Sequence, residues 1–286
     1  MIGQLNVKKD IDRLIDYKFP LFTVITGLKG SGKKTLANYI ANKLNCLIIP
    51  FDIKIDSIRE MIDLAYKQTE PIIYLIPDAD KMSIGAKNSL LKIIEEPPNN
   101  AMFIMTLQSL DNTLPTIKSR CHEIRMELYT VEELEHFINS IKPDATENEK
   151  KILSSCCNNY GEIELFVTYG IEEFYNYAKK VYENIYKVQS ANSFKICDKL
   201  ELKTSEENKY DVELFLRTFR YIAYYNMLAL LFEPNLNNQV ALVNSIIAIT
   251  SKYINKLTIT GINKQSLIDT WILDIRKAWK QSNAGD

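Results

Sequence analysis

Charge of one sign is scarce in this chain of 286 residues: 35 Lys and Arg stand against 36 Asp and Glu, for a net charge of -1. That balance gives no long-range attraction to DNA or an anionic membrane, so any nucleic-acid contact must be local or shared with partners. Histidine is scarcer still. His122 and His136 are the only two, too few and too isolated to suggest a metal or proton-transfer site. The five cysteines, Cys46, Cys121, Cys156, Cys157 and Cys197, contain no C-x-x-C pair, and an odd number fits no closed disulfide framework. A reducing cytoplasm is therefore the expected compartment. Long apolar runs are missing as well: "YIAYYNMLALLF" (221–232) falls short of the roughly 18 to 20 residues that span a bilayer, and Arg220 precedes it. The opening "MIGQLNVKKDIDRL" is charged and amphipathic, unlike an apolar signal segment. No membrane insertion is expected.

What is present is the composition of a folded protein, 46% hydrophobic and 25% charged, on a chain long enough for two or three domains. Up to about residue 126, short apolar runs alternate with longer helical patterns. The expected strands are 21–26, 46–51, 72–77, 102–106 and 121–126; the expected helices are 33–45, 57–67 and 83–95, the last stopped by Pro97 and Pro98. This alternation predicts an α/β domain with a mostly parallel sheet, whose ligand-binding loops follow the strands along one edge. From Leu128 the strand signals fade. "TVEELEHFINS", "TENEKKILSSCC" and "GEIELFVTYG" predict short helices, with Thr130 and Thr146 as N-caps and Glu133 in capping-box spacing after Thr130. The region from about 171 is almost all helical, interrupted by "DKLELKTSEENKYD" and "EPNLNN". Its last helix carries Ile268, Trp271, Ile272, Ile275 and Trp279 on one stripe, which fits either core or a helix-packing interface with another subunit.

The chemistry concentrates in "GLKGSGKKT" (27–35), which fits G-x-x-x-x-G-K between an expected strand and an expected helix. Gly27, Gly30 and Gly32 let the backbone turn its N–H groups around phosphate oxygens, and Lys33 adds a full charge. The next position breaks the pattern. A phosphate-binding loop keeps a serine or threonine there to help hold magnesium; Lys34 offers an ammonium, which repels a cation. Thr35 points about 100 degrees away around the helix. The second half of such a site is an acidic pair after a buried strand. Here "IIYLI" is followed by Pro77, which can bind no metal, and Asp78. Asp78 either serves as a shifted magnesium ligand or joins Asp80 in capping the next helix.

Taken together, "IGQ" (2–4), "GLKGSGKKTLA", "PDADKM" (77–82), "NSLLKIIEEPP" (88–98) and "LPTIKSRC" (114–121) resemble, in that order, the AAA+ clamp-loader family of bacterial DNA polymerase III, and within it the delta-prime kind of subunit. The resemblance implies a RecA-like P-loop domain over 1–127, a small helical lid over 128–170 and a helical collar over 171–286. It implies a structural member of a hetero-pentamer with gamma/tau ATPase subunits and a delta subunit, helping place a sliding clamp on primed DNA. It also implies a degenerate nucleotide site, with ATP or ADP bound without hydrolysis if at all. Arg120, in the S-R-C motif, would then act as an arginine finger on ATP held by a neighbouring subunit, where a guanidinium offsets charge that grows in the transition state.

Thr106 stands where the family keeps a polar residue that senses the γ-phosphate, and an alternative role is to satisfy local backbone groups. Glu164 replaces an arginine that nucleotide-binding relatives place about three residues after a glycine like Gly161. Cys46 alone stands where many relatives carry a four-cysteine zinc knuckle, and because thiolate ligands to zinc come in closely spaced sets no zinc is expected. Two other readings stay open: a self-sufficient AAA+ ATPase, which Lys34 and Pro77 oppose, and an assembly module that binds ATP without hydrolysing it.

Overall fold

The computed structural model describes residues 3–186, 198–202, 209–231, 237–257 and 261–283. Ile2 of the first motif, Cys197 and parts of the two interrupting segments lie outside the described residues. The chain divides into two units, residues 1–137 with 159–161, and residues 138–158 with 162–286.

The first unit is an α/β domain. In chain order it contains α1 (Leu5–Tyr17), β1 (Phe22–Thr26), α2 (Lys33–Leu44), β2 (Leu47–Pro50), α3 (Ile55–Tyr66) and β3 (Ile72–Ile76). There follow α4 (Ile84–Ser89), α5 (Leu91–Glu95), β4 (Ala101–Leu107), α6 (Pro115–Lys118), β5 (His122–Arg125) and most of α7 (Val131–Ile141). All neighbouring strands pair in parallel, in the order β2-β3-β4-β1-β5. Every residue of β1 and β3 is buried, because both faces of the sheet are covered. Side chains alternate between the faces: Tyr74 and Ile76 join Phe22 and Phe103 on one side, and Ile73 and Leu75 join Ile25, Leu36, Ile40 and Ile104 on the other.

Each expected strand lies within a residue of its observed bounds. Three helical features differ from expectation, the shortest being α6, a single turn where no helix was expected. The single helix expected over 83–95 is two, α4 and α5, because the Leu90 N–H bonds the carbonyl of Lys87 three residues back and tightens the turn. The charged N-terminal segment, for which no helix was expected, forms α1 and buries Val7 and Ile11. The capping box before α7 is complete: the Glu133 N–H donates to Thr130 Oγ1 at 3.2 Å, and the Thr130 N–H to Glu133 Oε2 at 3.0 Å.

The second unit is helical, with α8 (Glu147–Cys156), most of α9 (Tyr160–Thr168), α10 (Ile171–Asn184), α11 (Val212–Leu230), α12 (Asn237–Leu257) and α13 (Lys264–Asn283). Thr146 caps α8 in a second capping box, with Glu149. On α13, Ile268, Trp271, Ile272 and Ile275 are buried, so four members of the stripe are core. Trp271 packs edge-on against Phe219 and donates from Nε1 to Thr250 Oγ1 at 3.2 Å. Trp279 is half-buried and stacks on Tyr186. Arg217, at 7% exposure, holds Glu162 at 2.7 Å and also pairs with Glu213 one turn away. No helix among the described residues is long and apolar enough to cross a membrane.

Candidate functional site

The glycine-rich loop lies where its sequence predicts, between the C-terminal end of β1 and the first residue of α2. Gly30 and Gly32 have φ of 81° and 89°, conformations that side chains with a Cβ rarely adopt. Lys33 is buried and turns back on its own loop, donating from Nζ to the carbonyls of Gly27 at 2.7 Å and Leu28 at 2.8 Å. Burial pulls its pKa down, while Asp80 and Asp78 oppose that shift and Lys34 adds to it.

The outer side of the loop is pinned by residues distant in sequence. Tyr129 Oη donates to the Ser31 carbonyl at 2.9 Å, and the Gly161 N–H donates to the Gly30 carbonyl at 3.1 Å. A Cβ on Gly161 would stand 2.7 Å from Gly30 Cα, so two backbones touch at that point. Gln4 anchors the strand end beneath, exchanging two side-chain hydrogen bonds with the backbone of Glu127 at 2.8 and 2.9 Å. Ser31 Oγ is buried with no hydrogen-bond partner in the protein, and it faces Gly27 across the loop, 3.0 Å from where a Cβ would stand there.

The position whose hydroxyl serves magnesium in a phosphate-binding loop holds an ammonium, paired with the carboxylate that follows Pro77. Lys34 Nζ stands 3.3 Å from Asp78 Oδ2. Thr35 is exposed on α2 and joins no part of this arrangement. Asp78 follows Pro77 in a left-handed conformation, φ 52°, and its N–H donates to Thr106 Oγ1 at 3.0 Å. Thr106 therefore satisfies a local backbone group, the second of its two anticipated roles. The helix-capping role expected for Asp78 and Asp80 does not occur. Asp78 makes no side-chain cap. Asp80 instead reaches across the sheet end, accepting from the Gln108 N–H at 2.9 Å and from Asn112 Nδ2 at 2.9 Å.

A magnesium nucleotide does not fit these residues, because an ammonium stands in place of the hydroxyl ligand and a proline in place of the first carboxylate. A phosphate alone would have to draw Lys33 away from two loop carbonyls. Among the described residues no group of three or more His, Cys, Asp or Glu side chains is placed to hold a metal ion. Cys46 is half-buried, and burial raises its pKa. Glu164 is exposed on α9.

Arg120 lies at the other end of the sheet. It follows α6, and β5 starts two residues later with His122 paired to Thr23. Gly27 lies four positions beyond Thr23, roughly 13 Å along a strand, more than an arginine side chain spans. Arg120 cannot reach the loop of its own chain. It lines an open cleft of about 470 Å³ with Phe19, Leu21, Ile94 and Pro97. Its guanidinium is 3.2 Å from Glu95 Oε1, and Nη1 donates to the Thr116 carbonyl and to Ser119 Oγ, each at 3.2 Å. It is nonetheless 43% exposed. Neither the pinning role of Tyr129 and Gly161 nor the partnership of Glu95 with Arg120 was expected from the sequence. Glu95 falls inside the quoted "NSLLKIIEEPP"; Tyr129 carries no local signal, because its partner lies 98 residues away.

Residues 51–130 match a family model described as DNA polymerase III, delta subunit. Among curated proteins, the DNA polymerase III subunit gamma of Buchnera aphidicola subsp. Schizaphis graminum is 28% identical, over 49% of this chain and 48% of that protein. The DNA polymerase III subunit delta' of Bacillus subtilis is 26% identical, over 57% of this chain and 50% of that one. The chain thus spans about half the length or less of the curated relatives it matches. A DNA polymerase III gamma subunit-related protein of Thermotoga maritima has the same fold, with a TM-score of 0.53 at 15% identity over 95% of this chain and 99% of that chain. The motifs, the parallel sheet with its glycine-rich loop and these similarities agree: the chain is similar over part of its length to bacterial DNA polymerase III subunits and shares the fold of a gamma subunit-related protein.

Proposed function

We propose that this chain is a delta-prime-like subunit of a DNA polymerase III clamp loader, one that does not turn over ATP itself and lends Arg120 to a neighbouring ATPase subunit. The observation that carries this reading is Lys34, whose ammonium stands where a hydrolysing site keeps a magnesium-ligating hydroxyl and is paired with Asp78. The position of Arg120, half-exposed at the sheet end opposite its own loop, supports an action in trans. In this reading residues 128–170 act as the lid and 171–286 as the collar that holds a hetero-pentamer of gamma/tau, delta and this chain. The complex opens a sliding clamp and places it on primed DNA, and any contact with the duplex is to phosphates, without sequence preference.

The test is ATP hydrolysis with magnesium, clamp and primed DNA, by the isolated chain and by its complex with the ATPase and delta subunits. The isolated chain is expected to be silent. Within the complex, Arg120→Ala is expected to keep the subunits assembled and to lower hydrolysis at the one interface it serves. Unchanged hydrolysis would sink the arginine-finger assignment, and turnover by the isolated chain that Lys33→Ala abolishes would make it an ATPase in its own right.

A second reading, nucleotide bound and never hydrolysed, draws on the buried Ser31 Oγ facing Gly27 within the loop. It predicts a stable ATP complex that Lys33→Ala removes, measured by calorimetry with and without magnesium.

A further inference from the structure

Glu95 is the last residue of α5, which ends there because Pro97 and Pro98 follow. A carboxylate at a helix C-terminus faces the negative end of the helix dipole, a locally unfavourable place. It nonetheless stands 3.2 Å from Arg120 Nη2, both side chains being about half-exposed, 43% for Arg120 and 53% for Glu95. An ion pair so open to water contributes little to folding.

Its consequence for Arg120 is geometric. An arginine side chain has many rotamers, and that freedom must be given up when its guanidinium meets a phosphate. Here that freedom is already restricted from two sides. Nη1 is tied to the Thr116 carbonyl and Ser119 Oγ on the α6 turn, and Nη2 to Glu95 on a different helix. A guanidinium has five N–H donors. These contacts leave donors over for a second partner, and the side chain stays open to the cleft beside it.

We propose that Glu95 is a positioning residue for Arg120: it pre-aims the guanidinium that the neighbouring subunit's ATP will meet, so that docking does not have to order the side chain. This rests on the arginine-finger reading of Arg120. Glu95 touches no nucleotide and acts only through the arginine.

The experiment uses the assembled complex of this chain with its ATPase and delta subunits, with clamp and primed DNA, comparing the parent with Glu95→Ala, Glu95→Gln and Arg120→Ala. Glu95→Ala is expected to lower kcat several-fold with KM for ATP unchanged, because ATP is held by the neighbour's loop. Glu95→Gln, which keeps an oxygen acceptor at the same reach, is expected to recover most of the loss. Assembly by gel filtration and the unfolding temperature of the isolated chain are expected to match the parent for both variants. If Arg120→Ala lowers hydrolysis while Glu95→Ala equals or exceeds the parent, the positioning role is overturned and the arginine reading survives. If Arg120→Ala has no effect, both are overturned. A loss in Glu95→Ala that Glu95→Gln does not recover, or that follows impaired assembly, also overturns the proposal.

Discussion

The two ends of strands β1 and β5 treat their charges in opposite ways. At the C-terminal end Lys33 is folded onto two loop carbonyls, Lys34 is paired with Asp78, the Asp78 N–H is bonded to Thr106, and Asp80 is bonded to Gln108 and Asn112. Each of these groups is engaged within the chain. At the N-terminal end Arg120 also has partners; it is 43% exposed beside an open cleft, while Lys34 and Asp78 at the other end are 58% and 54% exposed. Buried Lys33 must break bonds to two carbonyls before it meets a ligand, whereas a partly exposed guanidinium with spare donors need not. The same sheet therefore has a buried lysine held by its own loop at one end and an open arginine at the other.

The sharpest way to break the comparison is to remove the open arginine. Arg120→Ala is expected to lower hydrolysis at its one interface by on the order of 10³, the lower range for arginine fingers measured in GTPases, read in a complex whose other ATP sites are silenced. Glu95→Ala is the milder change at the same end, several-fold in kcat.

At the loop end, substitutions that loosen the loop are expected to cost stability. Gly161→Ala would drive a Cβ to 2.7 Å from Gly30 Cα. Neither backbone can yield as a flexible side chain would, so a loss of about 1–3 kcal/mol is expected in denaturant unfolding; an unchanged midpoint would mean the loop is not pinned there. Tyr129→Phe removes the hydrogen bond to the Ser31 carbonyl and is expected to cost about 1 kcal/mol near neutral pH.

Tyr129 also gives this end a pH signature. Burial, and then the charge of Glu133, pushes its pKa up from 10.0 to about 12. Between those values the folded chain holds a proton that the unfolded chain has released. The stability Tyr129 contributes is therefore fully present below pH 10 and is lost as pH rises through 12. The phenylalanine variant should lose stability less steeply across that window, as followed by circular dichroism.

Much of this was legible locally. The five strands announced themselves as apolar runs, the glycines of residues 27–32 as a turn between strand and helix, and Thr130 with Glu133 as a capping box, because each signal depends on neighbours a few residues away. α1 carried its signal in the helical spacing of Val7, Ile11, Leu14 and Ile15, noted in the sequence only as a charged, amphipathic start; two of the four are buried. The break at Leu90 was missed because it is a tightened turn without glycine or proline. Asp80 was misjudged because a carboxylate beside a helix start is ordinarily a cap, and only the sheet brings Gln108 and Asn112 within its reach.

The sequence by itself determined the parallel sheet, the phosphate-type loop and the two positions, Lys34 and Pro77, at which magnesium ligands are missing, because residue identity and spacing settle whether an atom can ligate a cation. Only the tertiary structure decided that Lys34 pairs with Asp78, that Gly161 and Tyr129 close the loop from far along the chain, and that Arg120 stands beside Glu95 at the opposite end of the sheet. Those contacts join residues 25 to 131 positions apart, and no local pattern encodes them. They arise when parallel strands align their ends and bring the connecting segments together.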